Sequence, residues 1–212
     1  METGNEQLKS LSDIRNIMER SSRFFSLSGL SGISAGIIAL IGATVAFIIF
    51  GHNLRSIDWG NYNSFYNQYN LGRMIMLMFA DGFFTLLLAL TTGIYFTTRR
   101  IRKKGLPIWN HTIKRFLSNL FFPLLIGGVF CIIISLKGLI FLAAPITLIF
   151  YGLALYNASK FTLNEIRYLG IIQTVLGIIG CIWVEYGIIF WALGFGLAHI
   201  IYGILMYFKY ER

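Results

Sequence analysis

Asp81 is the first residue whose chemistry demands an account, because it interrupts an apolar run, Phe79-Ala80-Asp81-Gly82-Phe83-Phe84. It stands about seven residues, or roughly 10 Å, inside a helix-length apolar block. Placing a carboxylate at such a depth in lipid costs on the order of 3 kcal/mol, so Asp81 is expected to face a bundle interior and to have a partner there. One use is to bind a proton, a cation or a cationic ligand. The other is a structural hydrogen bond between helices, or a tilt that lifts the carboxylate to the interface. His199, in Gly196-Leu197-Ala198-His199, lies near the middle of the last apolar block. An Asp81–His199 pair suits proton binding, because imidazole titrates near neutral pH. Along straight helices the two differ in depth by roughly 9 Å, so tilt has to bring them together. The alternative for His199 is a bond to a backbone carbonyl or a threonine. Arg73 and Glu185, with Lys137, stand at block ends; they form a charged mouth above Asp81 or are ordinary snorkelling residues. Gln173 and Thr174 suit hydrogen bonds across helices.

Other chemistry has no residues to carry it. The sequence has no phosphate-binding glycine loop, no zinc-helix motif, no His pair placed for haem and no intramembrane-protease arrangement. Cys131 and Cys181 both lie in apolar blocks and read as small buried hydrophobes. The expectation is a non-catalytic protein without metal or cofactor.

The elements that must position these groups are transmembrane helices. Of the 212 residues, 56% are hydrophobic and only 13% charged. The apolar residues fall in blocks of about 20, enough to span the hydrocarbon core as a helix, and in lipid the backbone has to satisfy itself. Six spans are predicted, at 27–50, 74–98, 116–135, 138–157, 168–184 and 186–208, giving an all-α, polytopic six-helix bundle of hairpins. The first block is too long for a signal-peptide core and is expected to be kept as a span.

The net charge of +9 does not point to nucleic acid. No fold motif supports such binding, and the cations cluster in short connections. Fifteen of the 18 Lys and Arg fall on one side, leaving Arg55, Arg73 and Lys137 on the other. The rich side is cytoplasmic by the positive-inside rule, which puts both termini, including 209–212, inside. Trp59, Trp109, Trp183, Tyr95, Tyr156 and Tyr207 stand near the expected interfaces.

Ahead of the first span, residues 1–26 form a cytoplasmic segment. Leu11, Ile14, Met18 and Phe25 recur at helical spacing, and Ser10 with Asp13 resembles a capping box. An amphipathic helix is expected, with Arg15, Arg20 and Arg23 among anionic headgroups or against a cytoplasmic protein. In the first span Ser28, Gly32 and Gly36, and likewise Ala35, Ala39 and Ala43, repeat every four residues. That spacing permits close helix contact inside the bundle or in a homo-oligomer. The loop 51–72 interleaves Asn53, Asn61, Asn63, Asn67 and Asn70 with Trp59, Tyr62, Phe65, Tyr66 and Tyr69. It suits a sugar or peptide ligand, or a headgroup surface.

The last two hairpins resemble each other. Ile133–Phe141 lies against Ile182–Phe190, and Tyr151-Gly152 through Tyr156 against Tyr202-Gly203 through Tyr207. Parallel repeats of this kind occur in transporters; chance likeness between apolar segments is the alternative.

The stretch Leu11-Ser12-Asp13-Ile14-Arg15-Asn16-Ile17-Met18-Glu19-Arg20-Ser21-Ser22-Arg23-Phe24-Phe25, followed by Ser26-Leu27-Ser28-Gly29-Leu30-Ser31-Gly32, resembles a group of uncharacterised multispan bacterial membrane proteins. The resemblance is strongest over 11–45. It implies a bacterial inner-membrane setting and carries over no functional residue. Two function classes follow from the residues. The first is a partner or scaffold that holds a cytoplasmic protein with its basic face. The second is a small secondary transporter or ligand-binding protein centred on Asp81.

Overall fold

The computed structural model describes residues 28–55, 71–103, 105, 109 and 111–212. The N-terminal segment with Arg15, Arg20 and Arg23, and the loop tip with Trp59, lie outside the described residues. The rest is all-α. Helices α1 (Gly29–Arg55), α2 (Leu71–Lys103) and α3 (His111–Leu136) come first. A 3-10 turn (Ile140–Leu142) leads into α4 (Ala143–Ala158), and a second one (Ser159–Phe161) precedes α5 (Asn164–Ile182). A third 3-10 turn (Val184–Tyr186) opens the sixth span. That span runs through α6 (Gly187–Trp191), a π-helical turn (Ala192–Ala198) and α7 (His199–Tyr210) without a break. Among the described residues six segments are long and apolar enough to cross a membrane, which makes the chain a multi-pass membrane-type protein.

The helices extend past the expected spans. α1 continues to Arg55, α2 takes in Arg99, Arg100, Arg102 and Lys103, and α3 already holds Lys114 and Arg115. Hydropathy marks the apolar core, whereas a helix goes on wherever its backbone is better bonded within than without. Long cationic stems lie along such ends and keep their charge in the wet layer.

α3, α4, α5, the sixth span, α1 and α2 are neighbours in that order. Three clusters tie the array together. At the basic end, Ile101 of α2 meets Ile113 and Phe116 of α3, with Leu155, Ala158, Ile166 and Leu169 of α4 and α5. At the opposite end Met74, Leu77 and Met78 of α2 pack on Ala46, Ile188 and Phe141. The third cluster joins α3, α4 and α5 and holds both cysteines, each a free thiol.

The small-residue face of α1 lies inside the bundle. A Cβ on Gly203 would sit 2.5 Å from the Ile33 nitrogen, and one on Gly36 would sit 2.6 Å from the Gly196 oxygen. α1 and the sixth span therefore touch backbone to backbone, and Ala39 and Ala43 are buried one and two turns on. At the α3–α4 hairpin, Gly138 takes φ +87. The Gly138 and Leu139 amides bond back to the Ser135 and Ile134 carbonyls at 2.9 Å each. This is a Schellman stop, which needs a left-handed residue. Gly187, aligned with Gly138 in the sequence repeat, has φ −52 and begins a helix instead. The two hairpins thus turn by different means.

Candidate functional site

The sixth span loses regular α-helix at its middle, where Gly194 and Gly196 allow a π turn. A π turn holds a carbonyl away from the α ladder, and such turns recur at functional sites. Here that carbonyl belongs to Gly194. It accepts from Gln173 Nε2 of α5 at 2.8 Å and faces His199 Nδ1 at 3.1 Å. On the far edge of the ring, His199 Nε2 lies 2.9 Å from the Tyr151 hydroxyl of α4. Gln173 Nε2 is also 3.2 Å from His199 Nδ1. Three helices thus converge on one imidazole, which is buried, as is Gln173. The Gly194 carbonyl favours the hydrogen on Nδ1, and Nε2 then accepts from Tyr151, because each nitrogen takes the role its neighbour leaves to it.

Aromatic rings close the site on one side. Trp191 packs on Phe195, Phe195 on Tyr151, and the Tyr151 and Phe195 rings both stack with His199, at centroid distances of 5.5 and 5.9 Å. Among the described residues, two buried polar atoms of this region have no hydrogen bond, Gln173 Oε1 and the Tyr202 hydroxyl. The amide oxygen is packed against Gly194, where even a methyl group would collide with it. The Tyr202 hydroxyl lies one turn from His199, within electrostatic range of Tyr151, Glu165, Tyr210 and Arg100.

Asp81 is elsewhere. It belongs to a half-buried stripe of α2 (Met74, Met78, Asp81, Thr85, Ala89, Thr92, Phe96, Arg100) whose spacing of three and four turns it toward α1. Thr85, one turn away, abuts Gly42 of α1. Asp81 is half-buried on that stripe, and among the described residues it makes no hydrogen bond or ion pair. It does not pair with His199, whose two nitrogens are taken by Tyr151 and the Gly194 carbonyl. His199 has the carbonyl bond that its alternative reading named. Arg73 is exposed in the first turn of α2, and Glu185 is half-buried in the third 3-10 turn. Gln173 does bond across helices; Thr174 instead donates to its own Gly170 carbonyl at 2.9 Å.

A second polar cluster closes the basic end, and it was not legible as one. Arg100, read from sequence as one more loop cation, is buried. Its Nη1 donates to Glu211 at 2.9 Å and its Nη2 to the Tyr210 carbonyl at 2.9 Å. The same carboxylate accepts from the Ser28 hydroxyl and from the Gly29 amide, so it caps the start of α1. An acid at a helix N-terminus is favoured by orphan N–H groups and by the dipole. Glu165 in turn accepts from Lys209 and from the Tyr210 hydroxyl. Both described acids at this end are therefore engaged internally, while Arg99, Arg102, Lys103, Lys114, Arg115, Lys160, Arg167 and Arg212 are exposed.

Tyr151 and Tyr202 escaped selection because tyrosine in an apolar span usually reads as an interface anchor. Their signal was the repeated Tyr-Gly pair. Glycine lets a neighbouring helix approach, and the adjacent tyrosine is turned into the bundle. Among the described residues no group of three His, Cys, Asp or Glu is placed to hold a metal ion. Comparison of the chain with protein-family models, with curated proteins and with solved structures finds no match.

Proposed function

We propose that this chain is a non-catalytic, proton-binding membrane protein of the small secondary-transporter or ligand-binding class, with His199 rather than Asp81 as the group that takes the proton. In this reading it lies in a bacterial inner membrane with the basic end and both termini in the cytoplasm. The observation that carries it is the pair of partners on the imidazole. Tyr151 donates to Nε2 of the neutral ring, and by rotation of one C–O bond accepts from Nε2–H of the imidazolium. The Gly194 carbonyl accepts from Nδ1 in either state. A site that suits both protonation states with little rearrangement is what reversible proton binding needs. An ionisable residue near mid-span beside an irregular turn is also where membrane transport sites are built.

Proton uptake tests it. A pH-indicator dye follows the purified protein in nanodiscs on acidification. The wild type is expected to take up about one proton per chain more than His199→Gln, the stoichiometry of a single imidazole. Equal uptake by two folded proteins sinks the reading.

A second reading, the partner or scaffold protein, is favoured by the basic end. Its acids are spent internally and its cations are exposed, which suits an acidic cytoplasmic protein. Charge reversal at Arg102, Lys114 and Arg115 would then weaken a partner's attachment and leave proton uptake unchanged.

A further inference from the structure

One face of the sixth span carries Trp191, Phe195, His199, Tyr202, Met206 and Tyr210 in succession, at spacings of three and four. The two halves of this face differ. On one side of His199 this face carries the rings of Phe195 and Trp191, packed on each other with centroids 4.9 Å apart. On the other side comes the Tyr202 hydroxyl, buried and, among the described residues, without a hydrogen bond. Beyond it lies Glu165, which accepts from Tyr210 at 2.9 Å and from Lys209, a side chain 61% exposed. A buried hydroxyl without a partner is costly in an apolar medium. It therefore needs explaining, and here it falls, along the span, between the imidazole and Glu165, a described acid near this half.

We infer that His199 exchanges its proton with the basic face alone, by way of Tyr202 and Tyr151. This rests on the proton-binding reading above. Hydronium at the basic face delivers a proton to the Tyr202 hydroxyl, which passes its own hydrogen through one bridging water to Tyr151. Tyr151 gives its phenolic hydrogen to His199 Nε2 as it receives the new one, so no phenolate forms. The outcome is imidazolium with Nε2–H on Tyr151 and Nδ1–H on Gly194, and one neutral water released at the surface. The groups that face the imidazole are Tyr151 from α4, Gln173 from α5 and the Gly194 carbonyl from the π turn. Tyr151, Glu165, Tyr210 and Arg100 lie within electrostatic range of Tyr202. The described side chains of α1 include no titratable group.

The test uses the full chain in proteoliposomes of one orientation, with isotope-labelled histidine and with His52→Gln and His111→Gln, so that His199 alone reports. Rapid-mix infrared spectroscopy reads the imidazolium band after a pH drop on one side. The band is expected to rise quickly when the basic side is acidified, and not when the opposite side is. Tyr202→Phe is expected to slow the rise about tenfold, a barrier increase of roughly 1.4 kcal/mol, and to leave its final extent unchanged. A rise on acidifying the opposite side, or an unslowed Tyr202→Phe, overturns the sided path and leaves proton binding intact. No imidazolium band even with both sides acid removes the proton-binding reading and the path with it.

Discussion

At the scale of single residues, the central imidazole is held by bonds whose loss is measurable. Tyr151→Phe removes the group on His199 Nε2 and leaves that nitrogen buried and unpaired. Interhelical hydrogen bonds in membranes are worth about 0.6 kcal/mol on average and up to roughly 1.7. Tyr151→Phe should fall at the upper end, because it orphans a partner. Gln173→Met should cost less, since the Gly194 carbonyl keeps His199 and the unpartnered Oε1 disappears. Denaturant unfolding in mixed micelles measures both, and a costlier Gln173→Met would contradict the assignment of bonds. Asp81→Asn has no bond to lose among the described residues. It is expected to change stability by no more than about 0.5 kcal/mol, the range of substitutions away from special contacts. A large loss would mean that Asp81 has a structural partner. The residues that insertion cost singles out, Asp81 and His199, were legible because an ionisable group in an apolar block is conspicuous. Their partners were not. Tyr151 looks like an interface anchor, Arg100 like one of several loop cations, and Glu211 like an ordinary tail residue.

At the scale of elements, the six helices were legible because apolar blocks of membrane length leave the backbone little choice. Their ends were not, because hydropathy stops where the apolar core stops and α2 continues through Lys103. The π turn left no periodic trace beyond its two glycines. The four-residue spacing in α1 announced close packing without naming its partner, and that partner is the sixth span. Gly203→Leu tests this contact. No side chain fits between Gly203 and Ile33 without moving backbone, so the cost should be at least that of overpacking, roughly 1–3 kcal/mol. Gly82 faces open space, with nothing near a Cβ. Gly82→Ala should therefore be harmless or stabilise by up to about 1 kcal/mol through helix propensity. Thermal unfolding of the two variants side by side decides whether the glycine contact or glycine content as such matters.

At the scale of the whole molecule, the ends of the bundle are closed differently. The opposite end holds an apolar cluster around Met74 and Ile188. The basic end is closed by one part-buried carboxylate that joins the start of α1, the end of α2 and the C-terminal residues. Removing one member of a buried ion pair typically costs about 3–5 kcal/mol. Arg100→Gln is expected near the lower figure, because the pair keeps some exposure (9% and 13%). Limited proteolysis should then cut the C-terminal residues of Arg100→Gln faster than those of the wild type, and equal rates would mean that the clasp does not hold them. The same end also sets the direction of proton access inferred for His199, so the fold and the site share one asymmetry. The charge count announced that asymmetry; the part-buried carboxylate beneath it became legible only in the packed structure.

Nitrogen NMR of the single imidazole decides whether His199 takes up a proton inside the folded bundle. With His52→Gln and His111→Gln in place, His199 is the only labelled ring, and its two nitrogen shifts separate the neutral tautomers from imidazolium. At neutral pH the account predicts a neutral ring with its hydrogen on Nδ1, facing the Gly194 carbonyl. On acidification of both sides, both nitrogens should convert reversibly to the imidazolium shifts while the bundle stays folded. A ring that stays neutral until the protein unfolds would contradict the account and leave His199 a structural bond between helices.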